Sequence, residues 1–136
     1  GRRRRERRWF RDVAQRPGGC PAILIVDLKV GQNIAASVER FRAGQDGLKE
    51  IPPDRIFHLR RNRHLSPTDM PELHRELRDV AAQILASGTD TLHYFHAGPT
   101  SVAALVGAEF ANTCRVLCYQ YGDGDYVNFG PLRFRP

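Results

Sequence analysis

The residues best placed to do chemistry are His96-Ala97-Gly98-Pro99-Thr100-Ser101, set between the apolar stretch Leu92–Phe95 and a small-residue segment that runs to Gly107. Glycine lets backbone approach a ligand closely, and a helix start offers free N–H groups to an anion. Thr100 and Ser101 can cap that helix or bond a phosphate. A second group, Lys29-Val30-Gly31-Gln32-Asn33, follows the apolar run Ala22–Val26. There Lys29 supplies charge, Gly31 close approach, and Gln32 and Asn33 amides that can read base or ribose edges. A third group, Arg60-Arg61-Asn62-Arg63-His64, adds cations. Together they describe a nucleotide or phosphate pocket better than an apolar one. Each has a plainer reading beside it, because Gly-Pro after a strand is commonly a turn and arginine-rich loops are commonly solvated.

Sharper chemistries find little support. No Gly-x-Gly-x-x-Gly follows a strand and no phosphate-binding P-loop is present, so the usual dinucleotide and nucleoside-triphosphate fingerprints are missing. Without a Gly-x-Ser-x-Gly elbow, Ser101 with His96 makes a poor hydrolase pair. His93 and His96 stand three apart at a strand end, a spacing that puts them on opposite faces and argues against a shared metal. Asp27, closing the first apolar run, reads either as a metal or catalytic carboxylate or as a hydrogen-bonded loop anchor. Paired carboxylates are not evident. The sequence predicts a protein that is not an enzyme and uses no cofactor or metal.

The whole chain, 136 residues with 41% hydrophobic and 26% charged side chains, has the make-up of one soluble globular domain. No apolar run approaches the roughly 20 residues that cross a bilayer, and no signal peptide is recognisable. The chain begins with Gly rather than Met, as a trimmed chain or one piece of a longer protein would. The net charge of +6 is uneven: residues 1–8 hold six arginines against one glutamate, so the remaining 128 residues carry only +1. The basic character belongs to a tail over residues 1–19, a helix or linker that either binds nucleic-acid backbone or anionic lipid or is simply solvated. Cys20, Cys114 and Cys118 form no disulfide framework; the last two read as buried thiols, and a reducing, cytoplasmic location is expected.

The elements that must position these groups follow from periodicity. Trp9, Phe10 and Val13 can form one face of a short helix ending at Pro17-Gly18-Gly19. "AILIV" reads as a strand covered on both faces. Ile34, Val38 and Phe41 mark a helix that stops near Gly44, and "RIFHL" (55–59) is a second strand. The segment from Ser66 to Gly88 carries helix punctuation: Ser66 or Asp69 to cap it, Pro67 or Pro71 in its first turn, Gly88 to close it. Leu73, Leu77, Val80, Ala81 and Ile84 form its apolar stripe. "TLHYF" (91–95) is the third strand, and Val102, Leu105, Val106 and Phe110 mark the third helix. "RVLCYQY" (115–121) is the fourth strand, and "YVNFGPLRF" folds back across a turn at 122–125 as an antiparallel edge. Four strands alternating with three helices predict an α/β, Rossmann-like three-layer domain over residues 20–136, mainly parallel, with a C-terminal antiparallel hairpin. In such sheets ligands bind beyond the carboxyl ends of the strands, where all three polar groups fall.

"TLHYFHAGPTSVAALVGAEFANTCRVLCYQY" resembles the C-terminal part of SAVED domains: a strand, an "AGP" turn, a small-residue helix, a polar loop at Asn112-Thr113 and a Tyr-rich strand end. "DYVNFGPLRF" is similar to the family's terminal hairpin, so the resemblance covers about Thr91 to Phe134. It implies a CARF-like fold and recognition of a cyclic oligonucleotide second messenger in CBASS or CRISPR-linked antiphage defence. It also implies signalling through ligand-driven homo-oligomerisation to an effector such as a nuclease, TIR NADase, protease or membrane module. Ala97, Gly98, Pro99, Thr100 and Ser101 are its phosphate-facing positions, with His96 as pocket wall or strand cap. Lys29, Gly31, Gln32 and Asn33 join them on geometry rather than motif. Tyr119 and Tyr121 either stack on a base or pack at the sheet edge. The chain has room for one CARF-like half where the family typically fuses two. Either the first half was removed, two copies pair, or a separate effector subunit completes the assembly. A ring nuclease of related fold, with Ser101, His96 and Lys29 as its players, and a nucleic-acid-binding domain acting through the arginine tail are the alternatives.

Overall fold

The computed structural model describes residues 20–31, 33–122 and 125–131, with side chains described as far as Gln120. The basic tail, the helix expected around Trp9, Gln32, and residues 123, 124 and 132–136 lie outside the described residues. Pro21–Asp27 forms strand β1, and its last six residues are buried in unbroken succession. That is the pattern of a strand covered on both faces. Around it lie β2 (Ile56–Arg60), β3 (Thr91–Ala97), β4 (Arg115–Gly122) and β5 (Asp125–Pro131), in the order β2-β1-β3-β4-β5. The first four are parallel, with Leu24 beside Tyr94 and Phe95 beside Tyr119, and β5 returns antiparallel to β4.

Three α-helices connect the strands: α1 (Ile34–Ala43), α2 (Met70–Ala86) and α3 (Thr100–Phe110). The β1-to-β2 crossover runs one way across the sheet and the next two run the other way. With right-handed crossovers, α1 must then cover one face and α2 and α3 the other. The core divides accordingly. Ile34 and Val38 of α1 pack with Ile23, Ile25 and Phe95 on one face. Leu73, Leu77, Ala81 and Ile84 of α2 and Val102, Val106 and Phe110 of α3 pack with Leu24, Leu92 and Tyr94 on the other. Val80, Phe41 and Leu105, expected in the helix stripes, are only half-buried at their margins.

Two boundaries differ from expectation. Arg55 ends a 3-10 turn begun at Pro53, so β2 starts at Ile56. Its guanidinium is drawn out of the strand because it donates to the carbonyls of Cys20 and Pro21 and to the Thr89 hydroxyl. Ser66 caps another 3-10 turn, Pro67–Asp69, and Asp69 stands at the N-cap of α2, which begins at Met70, with its side chain bonded back to Ser66 instead of to that helix. The Ser66 N–H donates to the Asp69 carboxylate at 2.8 Å. Gly88, at φ +78°, closes α2. The three cysteines are free and half-buried, so Cys114 and Cys118 are less enclosed than expected. No helix among the described residues is long and apolar enough to cross a membrane.

Candidate functional site

β1 hands the chain to β2 on one side, while β3 lies on its other side, so the loops after β1 and β3 diverge over the edge where the parallel strands end. Such a switch point opens a crevice, and here it holds a cleft of about 770 Å³. Its walls are Leu28–Val30 after β1, His64 and Leu65 after β2, His96–Thr100 after β3 with Ala103 one turn on, and Cys118–Gln120 at the end of β4. Its lining holds the Lys29 ammonium and the imidazoles of His64 and His96, and no Asp, Glu or Arg is among the described lining residues.

The turn from β3 into α3 is held from three directions. Gly98 adopts φ +142°, and a Cβ there would stand 2.9 Å from the Leu28 Cβ. Only glycine fits both the backbone and the space. The Leu28 N–H donates to the Ala97 carbonyl at 2.8 Å, tying the β1 loop to this turn. The third restraint is His96, whose Nε2 lies 3.1 Å from the Gly98 oxygen and 3.0 Å from the Pro99 oxygen. Carbonyls only accept, so Nε2 carries the hydrogen; in the neutral ring Nδ1 then accepts from the Tyr94 hydroxyl. Burial pushes the His96 pKa below the usual histidine range, although the two carbonyl bonds pull the other way. Both ring nitrogens are thereby spent on the protein. His96 is not set up as a base for Ser101, and it serves as both pocket wall and turn brace.

Beyond this turn α3 starts at Thr100, with Pro99 as its capping residue and no side-chain cap. Thr100 and Ser101 therefore do not cap the helix, because both already stand inside its first turn. Val102 donates back to Pro99, while the N–H groups of Thr100 and Ser101 precede any intrahelical acceptor. Thr100 lines the cleft, whereas Ser101 is exposed beside it.

The β1 loop is organised differently. Asn33 caps α1, its Oδ1 accepting from the Ala35 N–H at 3.2 Å, and Asp27 Oδ2 accepts from the Ile34 N–H at 3.2 Å. Asp27 is thus the loop anchor of its two readings. Gly31 makes the turn at φ +78° and, like Asn33, is not part of the cleft wall. Of this group Lys29 reaches the cleft, and it is paired with no carboxylate among the described residues. The arginines expected to add charge are occupied elsewhere. Arg60 faces Asp27 at 3.7 Å, Arg61 pairs with Glu76, and Arg63 pairs with Asp69 at 3.0 Å. The Ser66 N–H first, and Arg63 as well, hold the Asp69 carboxyl below its ordinary range.

His93 is on the other face of β3, as its spacing required. Its Nδ1 hydrogen-bonds the Tyr119 hydroxyl at 2.8 Å, and burial, assisted by the Arg115 charge, lowers its pKa to about 4. The Tyr119 ring stacks on Phe95 with centroids 4.5 Å apart. It therefore takes the packing role; the Tyr121 side chain lies outside the described residues. Sequence reasoning missed Val30, Leu65, Ala103, Cys118 and Gln120 as cleft walls. The β4 end was its one available signal, since it places Gln120 on the ligand edge of a parallel sheet. No group of three potential metal ligands occurs among the described residues.

Comparison with known proteins agrees with this architecture. No curated protein matches the chain. Among solved structures, the SAVED/CARF-domain-containing receptor Cap4 of Acinetobacter baumannii with the cyclic trinucleotide 2'3'3'-cAAA superposes with a TM-score of 0.61 at 19% identity, over 86% of this chain and 25% of the receptor. The same receptor with 3'3'3'-cAAA gives 0.58 at 18% identity, over 86% and 26%. The likeness establishes a shared fold, and this chain spans about a quarter of the receptor's length. A family model, "SMODS-associated and fused to various effectors sensor domain", matches residues 5–131. Nearly the whole chain is covered, and it belongs to the SAVED family of sensor domains.

Proposed function

We propose that this domain is a non-enzymatic sensor that binds a cyclic oligonucleotide second messenger in the cleft at the C-terminal strand edge. The observation that carries this reading is the uncapped start of α3, opening on a cleft whose described lining has the Lys29 ammonium but no carboxylate. Backbone N–H groups and the helix dipole favour a phosphate there. Ala97, Gly98, Pro99, Thr100 and Ser101 form the phosphate-facing turn, Lys29 adds charge from the opposite loop, and His96 holds the turn. Gly31 and Asn33 shape the Lys29 loop from behind. The solved Cap4 receptors carry cyclic trinucleotides, which supports the ligand class.

Binding signals to an effector, in the same protein or a partner subunit, through ligand-driven oligomerisation in antiphage defence within the cytoplasm. The test is a screen of cyclic di-, tri- and tetranucleotides that follows melting temperature and particle size together. A rise in both with one messenger is expected. Folded protein that responds to none would overturn the reading.

A further inference from the structure

We infer that Tyr94 is a positioning residue for the phosphate-facing turn, acting through the ring of His96; the inference rests on that turn being part of the ligand site. Tyr94 is wholly buried beneath α2 and α3, in the apolar cluster that also holds Leu24, Val102 and Val106. A phenylalanine would fill that space equally well, and burying a hydroxyl without a partner is costly. The hydroxyl is explained by what it bonds, the Nδ1 of His96. Burial first, and Cys118 nearby, raise its pKa, so it stays a donor.

That bond sets where the imidazole points. With Nδ1 accepting, Nε2–H is aimed at the Gly98 oxygen at 3.1 Å and the Pro99 oxygen at 3.0 Å. The Val102 N–H reaches the Pro99 oxygen from within α3, so what His96 adds is a tie from β3 across the turn to both oxygens. Without the Tyr94 hydroxyl, Nδ1 loses its donor, and an unsatisfied buried acceptor is costly. His96 is half-buried and lines the cleft, so the ring can swing out to water and release both oxygens. β3 carries a second pair of this kind on its other face, where His93 Nδ1 meets the Tyr119 hydroxyl at 2.8 Å. That pair joins strand to strand, whereas Tyr94 and His96 join a strand to the turn that follows it.

The experiment uses the full chain as wild type, Tyr94→Phe, His96→Leu, their double variant and His93→Leu. Affinities are measured for the tightest binder among the cyclic di-, tri- and tetranucleotides of adenine and guanine, and NMR follows the His96 Nε2 proton. Tyr94→Phe should weaken binding about five- to tenfold, through a misplaced turn. His96→Leu should weaken it as much or more, and the double variant no further, because both changes break one line of contacts. The Nε2 proton, held on two carbonyls in wild type, should be lost to exchange with water in Tyr94→Phe. His93→Leu should leave affinity within about twofold, whatever it does to the melting temperature. Four results would overturn the assignment while leaving the sensor reading intact: binding by Tyr94→Phe within about twofold of wild type, single losses that multiply in the double variant, a retained Nε2 proton, or an equal loss in His93→Leu. Failure of wild type to bind any of these cyclic nucleotides would remove both.

Discussion

Two of the three helices that begin where the parallel strands end, α1 and α3, treat their N-termini in opposite ways. α1 is closed by the protein itself: Asp27 accepts from Ile34 and Asn33 from Ala35. α3 follows a turn of only two residues, Gly98-Pro99, where the loop before α1 has six, and no side chain caps it. Protein side chains supply that turn with a brace instead, Tyr94 to His96 to the Gly98 and Pro99 carbonyls. The orphan N–H groups of a helix start need some acceptor. Where the fold provides one, the helix end is structural. Where it fixes the turn and withholds the cap, the N–H groups stay open to an anion, as the proposed function requires. The difference separates a loop closed by its own side chains from one left open, a division that glycines and amides in both could not reveal.

The largest expected effect comes from removing the shape of the binding turn. In Gly98→Val the new Cβ lands where Leu28 already stands, 2.9 Å away, at a φ that side chains rarely adopt. Strain of about 1–3 kcal/mol should follow. It should appear as a melting temperature lower by several degrees, together with loss of cyclic-oligonucleotide binding by about a hundredfold or more. Titration calorimetry and thermal melts check both. Unchanged affinity would mean that the turn does not touch the ligand.

A subtler change separates binding from stability. Thr100→Asp places a carboxylate in the first turn of α3, where the dipole stabilises it by about 0.3–1 kcal/mol. The melting temperature should hold or rise while affinity falls about tenfold or more, since the new charge occupies the phosphate position. Asn33→Asp, at the N-cap of α1, should leave affinity as it was. If both substitutions act alike, the contrast between the two helix ends is wrong.

The same contrast explains how much could be read from the residues. β1 was legible because a strand buried on both faces needs a continuous apolar run, and "AILIV" is one. The turn at Gly98 was legible because Gly-Pro after a strand leaves few alternatives. What Asn33 does was not: an amide before a helix reads equally as a cap or a free reader, and only the Ala35 bond decides. The arginines of the β2 loop misled for a similar reason. Glu76 and Asp69, which occupy Arg61 and Arg63, lie in the next helix and the turn before it. Nothing local records that pairing. His96 was expected as pocket wall or strand cap and does line the cleft, but its partnership with Tyr94 depends on ring orientation. Gln120 carries no motif at all, and its place at the cleft wall emerges only from the position of the β4 end.

A pH titration tests whether the histidines behave as their two faces require. His93 titrates at about 4 instead of near 6.5, chiefly through burial. The unfolded chain therefore binds a proton that the folded chain refuses between these values. Stability should be at its full value above about pH 6.5 and decline as pH falls towards 4, by about 3 kcal/mol from this residue. His96 is lowered in the same sense. Urea melts at pH 7, 5.5 and 4.5 should show the decline, and His93→Asn should flatten it. A slope unchanged by His93→Asn would assign the proton elsewhere.

The smallest effect is the most direct check on the supporting loop. Asn33→Ala removes the side-chain acceptor for Ala35 and should cost about 1 kcal/mol, the usual cost of deleting an N-cap. It should leave ligand affinity within about twofold, because Asp27 still anchors the end of β1 to α1 and Lys29 keeps its place ahead of the Gly31 turn. An affinity drop larger than the stability loss explains would bring Asn33 back as a direct ligand contact. The closed helix end would then belong to the site as fully as the open one.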